Sequence, residues 1–282
     1  IVPVDRNGAT LYRVVVGQAP DEAQAWALRS GRRAGLPRRQ HSEAIDKTSG
    51  AWNASRRRNR LHFSLTRSRK WLMRRGRFIT LEGGEGAGKS TQARRLAERL
   101  SALGVTVVST REPGGTPGAE ALRGMLVAGG TDRWSPVAEA LLMNAARSDH
   151  LDRVIRPALA RGDWVVCDRF ADLTRAYQGA GGGVDPEFVD ALERGVVGAD
   201  MPDLTLIFDL PAETGLARAT ARDAQAQGRF EAKGLAFHAA LRDEFLVIAN
   251  GEERRCALID ATADIEGVAE QVWTAVSERL LA

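Results

Sequence analysis

The chain has 282 residues, which is enough for one large α/β domain or two small ones. Apolar residues make up 44% and charged residues 27%, values that exclude a disordered, collagen-like or coiled-coil chain. No apolar run reaches the roughly 18 to 20 residues of a membrane helix, so we expect no membrane partner. Cys167 and Cys256 each lie in an apolar run, which excludes a disulfide scaffold and indicates a reducing, cytoplasmic compartment.

The charge is divided unevenly along the chain. Residues 1–76 carry 17 lysines and arginines against 5 acidic residues, whereas residues 77–282 carry 23 against 31. A basic arm can bind nucleic acid, but residues 38–70 show no sustained helical or strand period and are typical of a solvated segment. We expect residues 1–72 to be a basic, largely disordered extension with no nucleic-acid partner and no part in the chemistry.

The beginning of the catalytic part is suggested by the first methionine. The chain starts with Ile1, and Met73 lies a few residues before the first convincing strand. We therefore expect a natural start near Met73, with the upstream residues the result of a start site set too early. An organelle transit peptide is the alternative for an arginine-rich, acid-poor leader. Residues 11–36 resemble the end of a SPOR peptidoglycan-binding repeat, although a strand followed by a short helix is a common arrangement.

From residue 77 onward, apolar runs of strand length alternate with helical periods, which is typical of a parallel sheet covered by helices on both faces. We predict five strands, at Phe78–Glu82, Val105–Thr110, Trp164–Cys167, Leu204–Leu210 and Cys256–Ile259. We predict helices at Lys89–Leu103, about Ala119–Val127, Pro136 to about Ala160, Pro186–Val197, Ala212–Arg222, Leu235–Ala249 and Ile265–Leu280. Residues 73–282 are therefore expected to form one three-layer α/β domain.

A glycine-rich segment follows the first strand and opens the first helix. The pattern G-x-x-x-x-G-K-[ST] is satisfied by Gly83, Gly84, Glu85, Gly86, Ala87, Gly88, Lys89 and Ser90, and Thr91 follows. Backbone N–H groups of such a loop surround phosphate oxygens, and the helix N-terminus and the lysine add positive charge. The Ser90 hydroxyl is placed to bind Mg²⁺. We expect residues 83–91 to bind ATP.

A P-loop occurs in GTPases, motors, ATPases and small-molecule kinases. A GTPase is excluded because the chain contains no Asn-Lys-x-Asp sequence and because no Asp-x-x-Gly switch follows Asp168-Arg169. Motors and AAA-type ATPases normally end an apolar strand with an acidic pair, and the only rival here, Asp209, is single. These observations weigh against a GTPase, a motor and an AAA-type ATPase.

Several segments resemble thymidylate kinases, in the same order and at similar spacings. They are Phe78–Thr91 (FITLEGGEGAGKST), Thr110–Thr116 (TREPGGT), Ala145–Arg147 (AAR), Asp168–Gly179 (DRFADLTRAYQG) and Pro202–Leu210 (PDLTLIFDL). The likeness covers about residues 76–282, and the TREPGGT and DR-x6-AYQ segments are specific to that family. The resemblance implies a homodimeric P-loop nucleoside monophosphate kinase that phosphorylates dTMP to dTDP for dTTP synthesis, by in-line transfer from ATP with Mg²⁺.

The resemblance also implies roles for residues beside the P-loop. It makes Arg111 and Arg169 the clamps on the acceptor phosphate, and both follow strands at the carboxyl edge where ligands of such sheets bind. It assigns Asp168 to Mg²⁺ through the water shell of the ion, and Glu85 to the acceptor sugar and phosphate. Lys89, Glu85 and Arg169 are the expected catalytic residues of this part of the site.

A thymidine pocket follows from the same resemblance. Its expected lining is Met143, Arg147, Thr174, Tyr177 and Gln178. The Arg147 guanidinium is expected to read the thymine edge through two hydrogen bonds, and the Tyr177 ring to exclude a ribose 2′-hydroxyl. Met143 stands where the family usually has a phenylalanine that stacks on thymine, and Leu173 replaces a small hydroxyl residue. Both departures weaken the expected preference for thymine.

A lid is indicated between two predicted helices. Residues 218–233 combine Gly228 with several arginines, which is typical of a mobile segment that closes over ATP. Members of the family carry a catalytic arginine either in the P-loop or in the lid, and the P-loop here has none. We expect the lid to supply it, with Arg229 as the first candidate and Arg222 as the second. Gly228 stands where the family often has an aspartate.

Two other functions remain open. The first is a kinase for another monophosphate, such as dUMP, dGMP or a modified nucleotide, because a single methyl group separates dTMP from dUMP and contributes only about 1–3 kcal/mol. The second is a P-loop regulator that binds ATP without transferring phosphate. Arg111, Arg169 and the arginine-bearing lid weigh against the regulator, which has no need of them.

Overall fold

The computed structural model describes residues 2–6, 9–13, 75–222 and 229–281. The chain divides into two units, residues 1–62 and residues 63–282. In the first unit, strand β1 (Val2–Arg6) pairs antiparallel with strand β2 (Ala9–Arg13). Both strands lie within residues 1–72, for which a largely disordered extension was predicted. The rest of residues 1–72 lies outside the described residues, and so does most of the strand and helix predicted over residues 11–36.

The second unit contains a five-stranded parallel sheet with the strand order β4-β5-β3-β6-β7. Its strands are β3 (Phe78–Gly83), β4 (Val107–Arg111), β5 (Trp164–Asp168), β6 (Leu204–Asp209) and β7 (Cys256–Asp260). Every residue of the central strand β3 is buried, as expected for a parallel sheet covered on both faces. The predicted α/β fold and its strands are confirmed, with strand ends shifted by one or two residues.

Helices cover the sheet. Those in the described residues are α1 (Lys89–Ala102), α2 (Pro117–Val127), α3 (Pro136–His150), α4 (Arg156–Arg161), α5 (Ala171–Thr174), α6 (Pro186–Val196), α7 (Ala212–Arg222), α8 (Leu235–Gly251) and α9 (Ile265–Val276). π-Helical turns at Leu151–Ile155, Arg175–Ala180 and Ser277–Leu281 continue α3, α5 and α9. The long helix predicted from Pro136 is therefore a composite of α3, a π turn and α4, and the helix over residues 171–180 was not predicted.

Capping residues explain where two of the helices begin. The Ser135 hydroxyl accepts a hydrogen bond from the Ala138 N–H, and the Asp185 carboxylate accepts one from the Glu187 N–H. A proline follows each capping residue, and its fixed φ suits the first helical turn. Within the described parts of the chain, no helix combines the length and the apolar character needed to cross a bilayer.

The carboxyl ends of the parallel strands meet at one edge of the sheet. On one face, Leu96 and Leu100 of α1 and Val272 of α9 pack against the strands. Because the strands are parallel, Gly83, Arg111 and Asp168 end β3, β4 and β5 at the same edge, where Arg111 lies opposite Asp168 in the β4–β5 register. This carboxyl edge is where open α/β sheets bind their ligands.

Candidate active site

The P-loop runs from the end of β3 into α1, and its backbone conformation depends on glycine. Gly86 has φ +67°, and a Cβ atom there would lie 2.1 Å from the Gly215 carbonyl oxygen. Gly88, directly before Lys89, has φ +86°. A side chain at either position would strain the backbone, and one at Gly86 would also collide with α7. The predicted phosphate loop thus has the required conformation, with the N-terminus of a 14-residue helix behind it.

Lys89 is buried at the base of the loop. Its ammonium donates hydrogen bonds to the carbonyl oxygens of Gly83 (3.0 Å) and Gly84 (2.5 Å). Burial and the nearby Arg169 cation lower the pKa of Lys89 to about 8, although the surrounding carboxylates, with Glu85 foremost, favour its charged form. A phosphate group beside this ammonium would stabilise the protonated state further.

Ser90 and Asp168, the two predicted metal ligands, contact each other. The Ser90 hydroxyl donates a hydrogen bond to Oδ2 of Asp168. The other carboxylate oxygen, Oδ1, is buried and has no hydrogen-bond partner among the described residues. A hydroxyl and a carboxylate with an unpartnered oxygen, both beside the P-loop, are the oxygen ligands that Mg²⁺ prefers in phosphoryl-transfer sites. The residues present therefore fit this ion.

Glu85, Arg169 and Tyr177 are joined by hydrogen bonds next to the P-loop. Arg169 Nη2 donates to both oxygens of Glu85 (2.8 Å each), and Arg169 Nη1 donates to the Tyr177 hydroxyl (2.9 Å). The Tyr177 hydroxyl donates to Glu85 Oε1 (2.8 Å), which closes the ring of contacts. Arg169 adopts φ +73°, a conformation that is strained for a residue with a side chain and that occurs most often at functional sites.

These contacts fix the charge of Glu85. Burial alone would raise the pKa of its carboxyl group, but Arg169, Lys89 and the Tyr177 hydroxyl together lower it to about 2. Burial raises the pKa of Tyr177, so its hydroxyl stays protonated and can donate a hydrogen bond. Glu85 is therefore an anion held between cations, as a carboxylate beside a phosphate site has to be.

A cavity of about 380 Å³ lies beside Glu85, Arg169 and Tyr177, and most of the predicted site residues line it. The predicted residues that line it are Glu85, Gly86, Ala87, Gly88, Lys89, Ser90, Thr91, Arg111, Met143, Asp168, Arg169, Tyr177 and Arg229. Predicted residues that are not part of its lining are Gly83, Gly84, Arg147, Thr174 and Gln178. Phosphate-binding and acceptor-binding candidates thus share a single cavity, within the size range of small-molecule sites.

Arg147 lies behind the cavity in a buried network. Its guanidinium donates to Glu112 Oε2 (2.8 Å), the Phe170 carbonyl (2.6 Å), Asn144 Oδ1 (3.2 Å) and Thr174 Oγ1 (3.1 Å). These bonds use four of the five N–H groups of an arginine. A contact with thymine through two of its N–H groups, as the resemblance implied, would require one of these bonds to be exchanged.

The thymidylate kinase family model matches residues 81–272 of the chain. The chain belongs to the thymidylate kinase family. A thymidylate kinase from Caulobacter vibrioides (strain ATCC 19089 / CIP 103742 / CB 15) is 61% identical over 208 residues, which cover 74% of this chain and 99% of that one. A thymidylate kinase from Bradyrhizobium sp. (strain ORS 278) is 56% identical over 207 residues, 73% of this chain and 92% of that one.

A solved structure agrees with these relatives. A crystal structure of thymidylate kinase from Ehrlichia chaffeensis superimposes with a TM-score of 0.59 at 34% identity, and it covers 71% of this chain and 98% of that chain. The predicted family and the P-loop fold are confirmed. The roles of individual residues stay predictions, which the geometry supports to different degrees.

Arg229, the first candidate for the catalytic arginine of a thymidylate kinase lid, is buried rather than placed over the P-loop. Its guanidinium donates to the carbonyl oxygens of Gly130 (2.9 Å), Thr131 (3.2 Å) and Leu126 (3.3 Å), and it forms an ion pair with Glu139. Although Arg229 lines the cavity, four of its five N–H groups thus donate to protein acceptors. Burial of the guanidinium thus weighs against the catalytic role predicted for Arg229.

Arg222, the second candidate, ends α7, and its side chain lies outside the described residues, as do residues 223–228 of the predicted lid. Arg111 lines the cavity and is exposed, 3.3 Å from Glu120. Arg123, which the sequence reasoning missed, also lines the cavity and donates to the Pro113 carbonyl oxygen (2.9 Å). Arg123 lies one helical turn before Val127, and nothing in that position in the sequence indicated a contact with phosphate.

Glu82, at the end of β3, is a further residue that was missed. Its Oε1 accepts hydrogen bonds from the N–H groups of Phe170 (2.7 Å) and Leu173 (3.3 Å), and so holds the start of the helix that carries Tyr177. Burial and the negative charge of Asp172 raise the pKa of Glu82 to about 8. The only feature of the sequence that could have pointed to Glu82 was its position directly before the P-loop.

Proposed function

We propose that the chain, as a thymidylate kinase, transfers the γ-phosphoryl group of ATP to dTMP in the cavity between the P-loop and Tyr177. The observation that carries this proposal is the ring of hydrogen bonds joining Glu85, Arg169 and Tyr177, because it links the P-loop to the segment expected to hold the acceptor. Transfer between two polyanions depends on positioning and on neutralisation of charge, and the residues that line this cavity can supply both.

On the donor side, the P-loop N–H groups and Lys89 would bind the phosphates of ATP. Ser90 and Asp168 would hold Mg²⁺, which when bound neutralises phosphate charge. Lys89 keeps its position through the carbonyl oxygens of Gly83 and Gly84, so its ammonium is oriented before ATP arrives. Asp168→Asn is expected to raise the Mg²⁺ concentration needed for half-maximal activity, measured by Mg²⁺ titration at saturating nucleotides.

On the acceptor side, Arg111 and Arg169 would bind the dTMP phosphate. Arg169 is held rigid by Glu85, and Arg111 has an exposed side chain that can reorient towards the phosphate. We propose Arg123 as a third cation for this phosphate, because it lines the same cavity. Arg111→Ala is expected to raise the KM for dTMP more than the KM for ATP, in steady-state assays that vary each nucleotide separately.

The base of dTMP would lie near Met143 and Tyr177. Both side chains line the cavity and are buried, so they can enclose an apolar ring. The Tyr177 ring also contacts Phe230 edge to face, at 5.6 Å between centroids, which fixes its orientation. A fixed ring beside the sugar supports the predicted exclusion of a 2′-hydroxyl, and TMP with a ribose is the substrate that tests it.

The arginine that neutralises the transferring phosphoryl group would come from the lid. Of the two candidates, we propose Arg222, since four of the five N–H groups of Arg229 already donate to protein acceptors. Arg222→Ala should then lower kcat more than Arg229→Lys does. Equal KM values for dTMP in both variants would show that the difference lies in the transfer step.

We further propose that the chain forms a homodimer through α2 and α3. Met125 of α2 and Val137 and Leu141 of α3 are exposed, at 39%, 45% and 47%, on two helices that pack together. Val137 and Leu141 are four residues apart and so share one helical face. A second copy related by a two-fold axis would cover this apolar surface. Leu141→Glu should convert the dimer to a monomer in analytical ultracentrifugation.

The experiment that tests the assignment of the cavity compares dTMP-dependent ADP formation by the unchanged chain and by Arg169→Lys. The variant keeps a positive charge but loses the planar fork that contacts both Glu85 oxygens and Tyr177. We expect a loss of about 100-fold in kcat/KM for dTMP, from an effect of this kind on a charge-stabilising group. Unchanged kinetics would show that transfer occurs without this arginine and would contradict the proposed site.

A further inference from the structure

Glu139 contacts one residue of the predicted lid, Arg229, and one residue of the predicted thymidine pocket, Gln178. It is buried on α3, and Met143 and Arg147 follow it at intervals of four residues on the same helical face. Its two carboxylate oxygens have different partners: Oε1 accepts a hydrogen bond from Gln178 Nε2 (2.7 Å), and Oε2 forms the ion pair with Arg229. Nothing in the proposed transfer uses this carboxylate directly.

Gln178 is completely buried, and its Oε1 atom has no hydrogen-bond partner among the described residues. A buried amide oxygen without a partner is unfavourable in the protein alone, so it calls for an explanation. Its neighbour Tyr177 lines the cavity, as does Met143, one helical turn after Glu139. The amide itself is not part of the lining, but Gln178 is next in sequence to Tyr177, and the amide is hydrogen-bonded to Glu139, one turn before Met143.

The charge of Glu139 determines which end of the Gln178 amide meets it. An ionised carboxylate can only accept hydrogen bonds, so it must face the NH₂ end of the amide. The Gln178 Nε2 group donates to Oε1 of Glu139, and the Arg229 guanidinium, a permanent cation, contacts Oε2. The oxygen of the Gln178 amide is consequently turned away from Glu139 and is available as an acceptor.

We propose that Glu139 is a positioning residue that presents the Gln178 oxygen to the N3–H group of thymine. Thymine donates a hydrogen bond at N3, whereas cytosine has an acceptor there, so this orientation favours dTMP and rejects dCMP. A base that left the buried oxygen unpaired, or placed a second acceptor against it, would bind poorly. The inference deepens the proposed function and rests on it.

Glu139→Gln tests the orientation directly. Arg229 would hold the oxygen of the new amide, so its NH₂ end would face Gln178 and the Gln178 amide would turn over. The expected result is a fall of about ten-fold or more in the ratio of kcat/KM for dTMP to kcat/KM for dCMP, since the donor now faces the base. A loss of general packing would lower both values and leave the ratio unchanged.

Two further variants keep the test decisive. Asp200→Asn breaks the ion pair with Arg156 outside the cavity lining and should leave the ratio unchanged. If Glu139→Gln does not fold, Glu139→Gln combined with Arg229→Gln leaves no unpaired buried charge and should also lower the ratio. A folded variant with an unchanged ratio would overturn the role of Glu139. Failure of the unchanged chain to phosphorylate dTMP would instead overturn the proposed function.

Discussion

The two halves of the cavity are built in different ways. The phosphate half consists mainly of backbone, with glycines at positive φ, a helix N-terminus and the Asp168 Oδ1 oxygen that lacks a partner among the described residues. The base half consists of buried side chains that bind one another, with Glu112 and Arg147 as the central ion pair. Phosphate binding thus depends on local chain conformation, whereas base binding depends on contacts between distant segments.

The largest expected effect is in the phosphate half. Lys89→Met removes the only lysine of the cavity lining among the described residues and should lower kcat by about 100- to 1000-fold, as loss of one charge-stabilising group does. The free energy of unfolding should not fall, because the buried ammonium is replaced by an apolar chain. Steady-state kinetics and urea unfolding check the two parts, and a variant that lost stability would show that this half also depends on its side chains.

In the base half, the corresponding change should reduce stability. Glu112 accepts hydrogen bonds from Arg147 (2.8 Å) and from His150 Nδ1 (3.0 Å), and all three side chains are buried. Glu112→Gln leaves the Arg147 charge without its carboxylate and should lower the free energy of unfolding by about 3 kcal/mol. Urea unfolding measures this loss. Glu120→Gln, which affects an exposed pair with Arg111, serves as the control and should lose less than about 1 kcal/mol.

ATP binding in the phosphate half is expected to depend on pH. Since the pKa of Lys89 is about 8 and ATP binds the protonated form, the affinity should fall as the pH rises above 8. Between pH 7 and pH 9 the Kd for ATP should rise about ten-fold, by proton linkage at one site. Isothermal titration calorimetry measures this rise. In Lys89→Arg, whose guanidinium stays protonated, a rise of the same size would assign the titration to another group.

A smaller effect is expected for Glu82, where the two halves meet. Its folded pKa of about 8 lies above the ordinary value of 4.5, so the folded chain holds a proton between these pH values that the unfolded chain releases. The stability from this group is complete below pH 4.5 and is lost as the pH rises through 8, with a slope of at most about 1.4 kcal/mol per pH unit. Glu82→Gln should flatten the unfolding free energy between pH 5 and pH 8.

The contrast between the halves also explains what the sequence could reveal. The P-loop, the strand ends and the pairing of Ser90 with Asp168 were predictable, because local sequence sets the backbone and parallel strands bring their ends to one edge. The partners of Arg147 and Arg229 were not, because they come from segments far apart in the chain. The four-residue spacing of Glu139, Met143 and Arg147 was a usable signal of one shared helical face.

If one cavity binds ATP and dTMP and transfers phosphate between them, ADP formation has to depend on the acceptor. The most direct measurement is ADP formation from ATP and Mg²⁺ by the full chain with dTMP, dUMP, dCMP, dGMP, AMP or no acceptor. We expect rapid ADP formation with dTMP, slower formation with dUMP and little with dCMP. ADP formation that does not depend on any acceptor, or a preference for a purine monophosphate, would contradict it.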